Sequence, residues 1–163
     1  MNLQINDLFE MQNILDNYIF KQHQLIREET IDRRILALLV EISELANETR
    51  CFKFWSCKGS NEKSKILEEY VDGIHFFLSL GMDIDVMPAY LSSEEVDTEL
   101  SLLFLKVYEK VCVLQHSFTE KNYKEAFQIY LQIADRLSFT PEEIRQAYFE
   151  KNKINHKSQL ENY

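Results

Sequence analysis

The chain has 163 residues, a net charge of −9 and 45% apolar residues, with only three glycines and two prolines. That length and apolar content suit one folded domain and exclude a disordered chain. The negative charge repels a nucleic-acid backbone and an anionic membrane, and the scarcity of glycine and proline disfavours sheets joined by tight turns and favours long helices.

No apolar run reaches eighteen residues and no basic leader precedes an apolar stretch, so a cytoplasmic protein without a membrane partner is expected. Cys51, Cys57 and Cys112 form no CxxC pair. Free thiols in a reducing compartment fit them better than zinc ligation, because Cys51 and Cys57 have no further zinc ligands nearby.

Apolar periodicity predicts six helices and no strand. The first covers residues 6–24, with Leu8, Met11, Leu15, Tyr18 and Ile19 as its stripe. The second covers 28–51 and is apolar around most of its circumference from Ile35 to Leu45, which makes it central. A loop follows at 54–61. The third helix covers 62–80, with Gly81 as its expected stop. The fourth is expected to open at Ser92, which has capping-box spacing to Glu95, and to run to Ser117. Residues 83–93, with Pro88, read as a polar connection. The fifth helix covers 123–137. The sixth opens at Thr140-Pro141-Glu142-Glu143, a capping box with proline in the first turn, and runs to Asn155. The expected fold is an all-α bundle of about six helices around two central ones, in one domain spanning 1–163.

Two short stretches carry the chemistry. In VEISELANE, Glu41, Glu44 and Glu48 recur at steps of three and four, which at about 100° per residue places them in one sector of an otherwise apolar helix. In EEYVDGIHFFLSL, Glu69, Asp72 and His75 recur at steps of three among Ile66, Val71, Ile74 and Phe77, with Glu68 alongside. An isolated ExxE is usually a solvated face. Two such pairs, each in one of the most apolar segments and on helices joined by one loop, predict facing acidic rows. Converging carboxylates repel and resist desolvation unless cations lie between them. An all-oxygen set suits hard ions, Mg²⁺ first and Mn²⁺ second, and Mg²⁺ shares its shell readily with substrate phosphates. A di-iron carboxylate site fits less well, since it needs two Glu-x-x-His elements and only Asp72-x-x-His75 is present.

The connecting loop FKFWSCKGS offers Trp55, beside Phe52 and Phe54, as a stacking surface for a base, and Lys53, Lys58 and the nearby Lys65 as phosphate partners. The usual reading of such residues is core aromatics and solvated lysines. The segment YFEKNKINHKSQLENY is by composition a polar tail.

The order ExxE, about two dozen residues, then ExxD resembles the all-α, MazG-like nucleoside triphosphate pyrophosphohydrolases. Within them the chain resembles the dimeric dUTPase family over nearly its whole length, through LFEMQNILD, LALLVEISELANETRCFKFWS, EEYVDGIHFFLSLG and AYFEKNKINHKSQ. The resemblance implies hydrolysis of dUTP, and of dUDP, to dUMP, with Mg²⁺ held by Glu41, Glu44, Glu69 and Asp72 and with one of Glu41 and Glu44, Glu44 by preference, orienting or deprotonating the attacking water. It implies a homodimer with sites near the subunit interface. It places Gln12 and Trp55 at the base, Asp16 beside it where other members carry asparagine, His75 near the sugar or phosphates, and Tyr148, Lys151, Asn152 and Asn155 in a segment that closes over the nucleotide. The chain departs from the family at Ser158-Gln159, where arginine-glutamine is usual, and at Asn162-Tyr163, where glycine-tyrosine is usual. Lys157 restores the charge but not a bidentate grip.

The fourth helix, SLLFLKVYEKVCVLQH, is apolar around much of its surface and suits burial against both core and partner. Two other readings remain at this stage. One is a sister enzyme acting on dCTP or another nucleotide. The other is a non-catalytic helical dimer that binds another protein.

Overall fold

The computed structural model describes residues 1–161, so Asn162 and Tyr163 lie outside the described residues. Among the described residues are six α-helices: α1 (Asn6–Gln22), α2 (Ile31–Thr49), α3 (Lys63–Ile84), α4 (Leu100–His116), α5 (Glu120–Arg136) and α6 (Pro141–Leu160). The all-α expectation holds. Among the described residues no helix is long and apolar enough to cross a membrane.

Helices α2 and α3 form the centre. They run antiparallel, because Arg34 near the start of α2 meets Asp83 near the end of α3, while Asn61 just before α3 donates to Glu48 near the end of α2. Leu38, Ile42 and Leu45 of α2 and Val71, Ile74 and Leu78 of α3 are fully buried in one apolar cluster. The apolar periodicity of both segments thus becomes the core itself.

Helix α5 packs against α3 through tyrosines that reach its backbone. Tyr70 and Tyr130 stack at 4.3 Å, and each donates its hydroxyl to the other's carbonyl, at 3.0 and 2.7 Å. Tyr123 donates to the Phe77 carbonyl at 2.7 Å. A helical carbonyl is normally shielded by the side chain three or four positions later. Here those positions are Gly73 and Gly81: a Cβ on Gly73 would lie 2.2 Å from the Tyr130 hydroxyl, and one on Gly81 2.5 Å from that of Tyr123.

This explains one correction. Gly81 does not stop α3, which continues to Ile84 and is capped by Asp85 in the left-handed conformation (φ 61°). Gly81 is there to admit Tyr123. Other boundaries also move. Helix α2 is preceded by a 3-10 turn, Arg27–Thr30, and starts at Ile31. The spacing of Ser92 and Glu95 makes no cap: Ser92 lies in strand β2 (Tyr90–Ser92), which pairs antiparallel with β1 (Asn2–Gln4), and α4 begins at Leu100. The strands bury Leu3 opposite Leu91 and are too short to show a period. Helix α5 starts earlier than expected, at Glu120, because Thr119 caps it by accepting from the Asn122 amide. The capping box at Thr140 forms as expected, and α6 then runs past Asn155 to Leu160. The polar C-terminal segment is therefore helix, laid against α1 and α3.

Candidate active site

The facing acidic rows meet. Ligand oxygens of Glu41, Glu69 and Asp72 lie within 4.8 Å of one another, close enough to share one ion. Glu41 projects from α2 and the other two from α3. One carboxylate oxygen of Glu41, Oε2, is buried with no hydrogen-bond partner among the described residues. Burial, the adjoining Glu44 carboxyl, and the charges of Asp72 and Glu69 push Glu41 up to about 8, from an ordinary 4.5. Burial and then Asp72 raise Glu69. Burial raises Asp72 although Lys151 pulls it down. The protein supplies one ammonium in return: Lys151 Nζ of α6 lies 3.1 Å from Asp72 and 3.4 Å from Glu68. Burial works against the charge on Lys151, and Asp72 and Glu68 more than offset it. Three desolvated carboxylates against one lysine leave a negative excess, and an all-oxygen donor set of this kind fits a hard divalent cation.

Glu44 stands outside this group of three. It is exposed, beside Glu41, and lines a shallower hollow with Ser43, Glu48 and Glu69. Glu48 is occupied differently: its side chain accepts from Asn61 at 2.5 Å and its carbonyl from the Asn61 amide, so it ties down the loop before α3.

From Glu41 and Asp72 an open cavity of about 760 Å³ extends between α1, α2, α3 and α6. Gln12, Asp16, His75, Lys151 and Asn155 line it, as do Ser158 and Gln159. Gln12 and Asp16 sit in the buried stripe of α1 with Leu8 and Leu15, which the apolar count alone assigned to Met11 and Tyr18. Gln12 accepts from Tyr148 at 2.9 Å, meets His75 Nδ1 at 2.6 Å and donates to Asp16 at 2.8 Å. Tyr148 stacks on His75 at 4.4 Å. Burial, then the charge of Lys151, push His75 down to about 3, so its ring is neutral. Asn152 is buried on α6, with its amide nitrogen unpartnered among the described residues.

Beyond Asp16 lies a second ionic cluster. Arg27 holds Asp16 through both terminal nitrogens at 3.1 Å and Asp83 through Nε at 3.2 Å. Arg34 pairs with Asp83 and bonds Thr30 at 2.9 Å and Ser79 at 3.1 Å. Of this cluster the sequence pointed to Asp16 alone, and Arg27, Arg34 and Asp83 were missed. Arg34 had a signal, lying four positions before Leu38 in the buried stripe of α2. Arg27 had none, since it sits in a single turn and its partners are distant in sequence.

Four expected substrate-binding residues do not line the cavity: Tyr148 and Asn152 are buried behind its wall, and Trp55 and Lys58 are not brought to it within one chain. Trp55 is 65% exposed on the loop, edge-on to Phe52 and Phe54. Lys58 is exposed beside Arg50 and Asn61, around a separate hollow of about 240 Å³.

A helical bundle whose two central helices pool their carboxylates at the mouth of an open cavity has the architecture of the all-α nucleoside triphosphate pyrophosphohydrolases. The family model described as dUTPase matches residues 4–163, and the chain belongs to that family. It is accordingly a dUTP diphosphatase. No curated protein matches the chain.

Proposed function

We propose that the enzyme converts dUTP to dUMP and pyrophosphate by attack of water on the α-phosphorus, and that it also accepts dUDP. The observation that supports this most is the convergence of Glu41, Glu69 and Asp72 beside a cavity of about 760 Å³, a volume in the range of small-ligand sites. These three side chains, with the neighbouring Glu44, would hold Mg²⁺, or Mn²⁺ in its place. When bound, such an ion neutralises phosphate charge and lowers the pKa of bound water.

Glu44, exposed and next to Glu41, takes the proton of the attacking water. Lys151 turns from Asp72 toward a phosphate oxygen, and Asn152 and Asn155 close the α6 side. Gln12 and its neighbours receive the base and sugar. The enzyme works as a cytoplasmic homodimer of single-domain subunits, with no nucleic-acid polymer or membrane as partner. Exposed Leu36 and Val40 on α2, and Leu102 and Leu105 on α4, suit cover by a second copy. Trp55 and Lys58 then act at that interface, since neither reaches the cavity of its own chain.

A nucleotide panel with pyrophosphate detection, run with and without Mg²⁺, tests this reading. Turnover of dUTP that disappears on chelation supports it. Faster turnover of dCTP, or turnover unaffected by chelation, overturns it.

A further inference from the structure

The hydrogen bonds from Arg27 to His75 have only one consistent direction. Arg27 and Ser79 both donate to Asp16 Oδ2, and Asp16 Oδ1 faces Gln12. A carboxylate so held accepts on both oxygens, so the Gln12 group facing it must be the amide N–H₂. The Gln12 oxygen then faces the Tyr148 hydroxyl, which also reaches the Leu8 carbonyl at 3.3 Å, and His75 Nδ1, which must donate to it. His75 therefore carries its proton on Nδ1. Its other nitrogen, Nε2, is left with a lone pair.

That lone pair has nothing to meet. His75 is 6% exposed, it lines the cavity, and Nε2 has no hydrogen-bond partner among the described residues. A buried acceptor left unmade is costly, and a ligand that brings a donor relieves the cost.

We propose that His75 Nε2 accepts a hydrogen bond from an N–H or O–H of the bound nucleoside, and that Asp16, acting through Gln12, is the positioning residue that fixes His75 as an acceptor. The assignment rests on the dUTP reading of the cavity. Two donors of deoxyuridine have the required chemistry, N3–H of the base and the 3′-hydroxyl of the sugar. Gln12, with one amide hydrogen given to Asp16, keeps the other for the ligand.

The first test is ¹⁵N NMR of the free enzyme, which reports the tautomer without turnover. Neutral His75 protonated on Nδ1 is expected, with Nε2 shifting when dUMP is added. A ring protonated on Nε2 overturns the proposal. The second test compares KM for dUTP, its 2′,3′-dideoxy analogue and its N3-methyl analogue. One analogue should lose roughly ten-fold or more in the native enzyme, which names the donor. The same analogue should lose little further in His75→Phe, which preserves the stack on Tyr148. Equal KM for all three in the native enzyme overturns the proposal.

Asp16→Asn keeps the histidine but gives Gln12 a neighbour that can donate as well as accept. The Nε2–H tautomer should then appear, and discrimination against the analogue should weaken. An unchanged tautomer in Asp16→Asn removes the positioning role. If the native enzyme prefers another nucleotide, the dUTP reading fails while the tautomer result still stands or falls by itself.

Discussion

Helices α2 and α3 share two ionic clusters, and the two are built on opposite terms. At one end Arg27 and Arg34 meet Asp16 and Asp83, two cations for two anions, with hydroxyls and carbonyls filling further donor positions. Nearer the middle of the same helices Glu41, Glu69 and Asp72 meet only Lys151, and Glu41 keeps a buried oxygen with no partner among the described residues. The first cluster is complete in the protein alone, as a structural ion network has to be. The second is complete only with a further cation. Electrostatic balance, more than the mere presence of buried charge, separates the cluster that is complete without a cation, and that reaches the cavity through Asp16, Arg34 and Ser79, from the one that needs a cation.

The largest expected effect breaks the unbalanced cluster. Glu41→Gln should lower kcat on the order of a thousand-fold, since it removes a carboxylate from the cation site. The metal-free variant should nevertheless melt no lower than the native protein, because glutamine resembles the protonated carboxyl that Glu41 carries below about pH 8 and never becomes a repelling charge. Thermal melts in chelator, beside kcat in saturating Mg²⁺, check both halves. Asp83→Ala is the mirror case. It leaves Arg34 with no carboxylate partner and Arg27 with Asp16 alone, and should cost about 3–5 kcal/mol of stability, while kcat per folded molecule stays within a few-fold. Denaturant unfolding with parallel activity measurements decides it. If Asp83→Ala proved stable and inactive, or Glu41→Gln unstable and active, the distinction between the clusters would collapse.

Lys151→Met sharpens the comparison with a smaller change. It deletes the one internal cation of the acidic cluster, which also faces the substrate cavity. Loss of one charge-assisted contact to phosphate should raise KM about ten-fold with a smaller change in kcat. Stability should shift by less than in Asp83→Ala, because Lys151 offsets only part of the negative excess. Steady-state kinetics at fixed Mg²⁺ separates the two constants.

Much of the unbalanced cluster was legible in sequence and little of the balanced one. Glu41, Glu69 and Asp72 announce themselves because charge is conspicuous in an apolar helix and helical spacing is local. Gln12 and Asp16 were legible only through family resemblance, since a glutamine and an aspartate on an amphipathic helix carry no pattern of their own. Ser79 pairs with Asp16 across 63 positions, and no periodicity encodes that. Gly81 was misread for a related reason: a glycine after an apolar run looks like a stop, and its real purpose belongs to Tyr123, far along the chain. The strand pairing of Leu3 with Leu91 was invisible because three residues do not make a period.

The smallest effect is also the most direct report of the imbalance. Glu41 titrates near 8 in the folded protein against an ordinary 4.5, so between those values the folded state holds a proton that the unfolded state has released. Stability must then fall as pH rises through that window. Glu69 and Asp72, also raised, act in the same direction. His75 acts oppositely: with its value down at about 3 against an ordinary 6.5, the unfolded chain binds the extra proton, and stability rises with pH across that lower range. The two windows overlap below about 6.5 and separate above it. Between about pH 6.5 and pH 8, then, Glu41 acts without the histidine, and the metal-free protein should lose melting temperature steadily. Glu41→Gln should flatten that decline, and Mg²⁺ should reverse it, because deprotonated carboxylates bind the ion more tightly as pH rises. Melting curves in chelator and in Mg²⁺ across this interval measure the slope. A metal-free slope of zero or of opposite sign would mean that Glu41, Glu69 and Asp72 are already balanced, like Asp16 and Asp83.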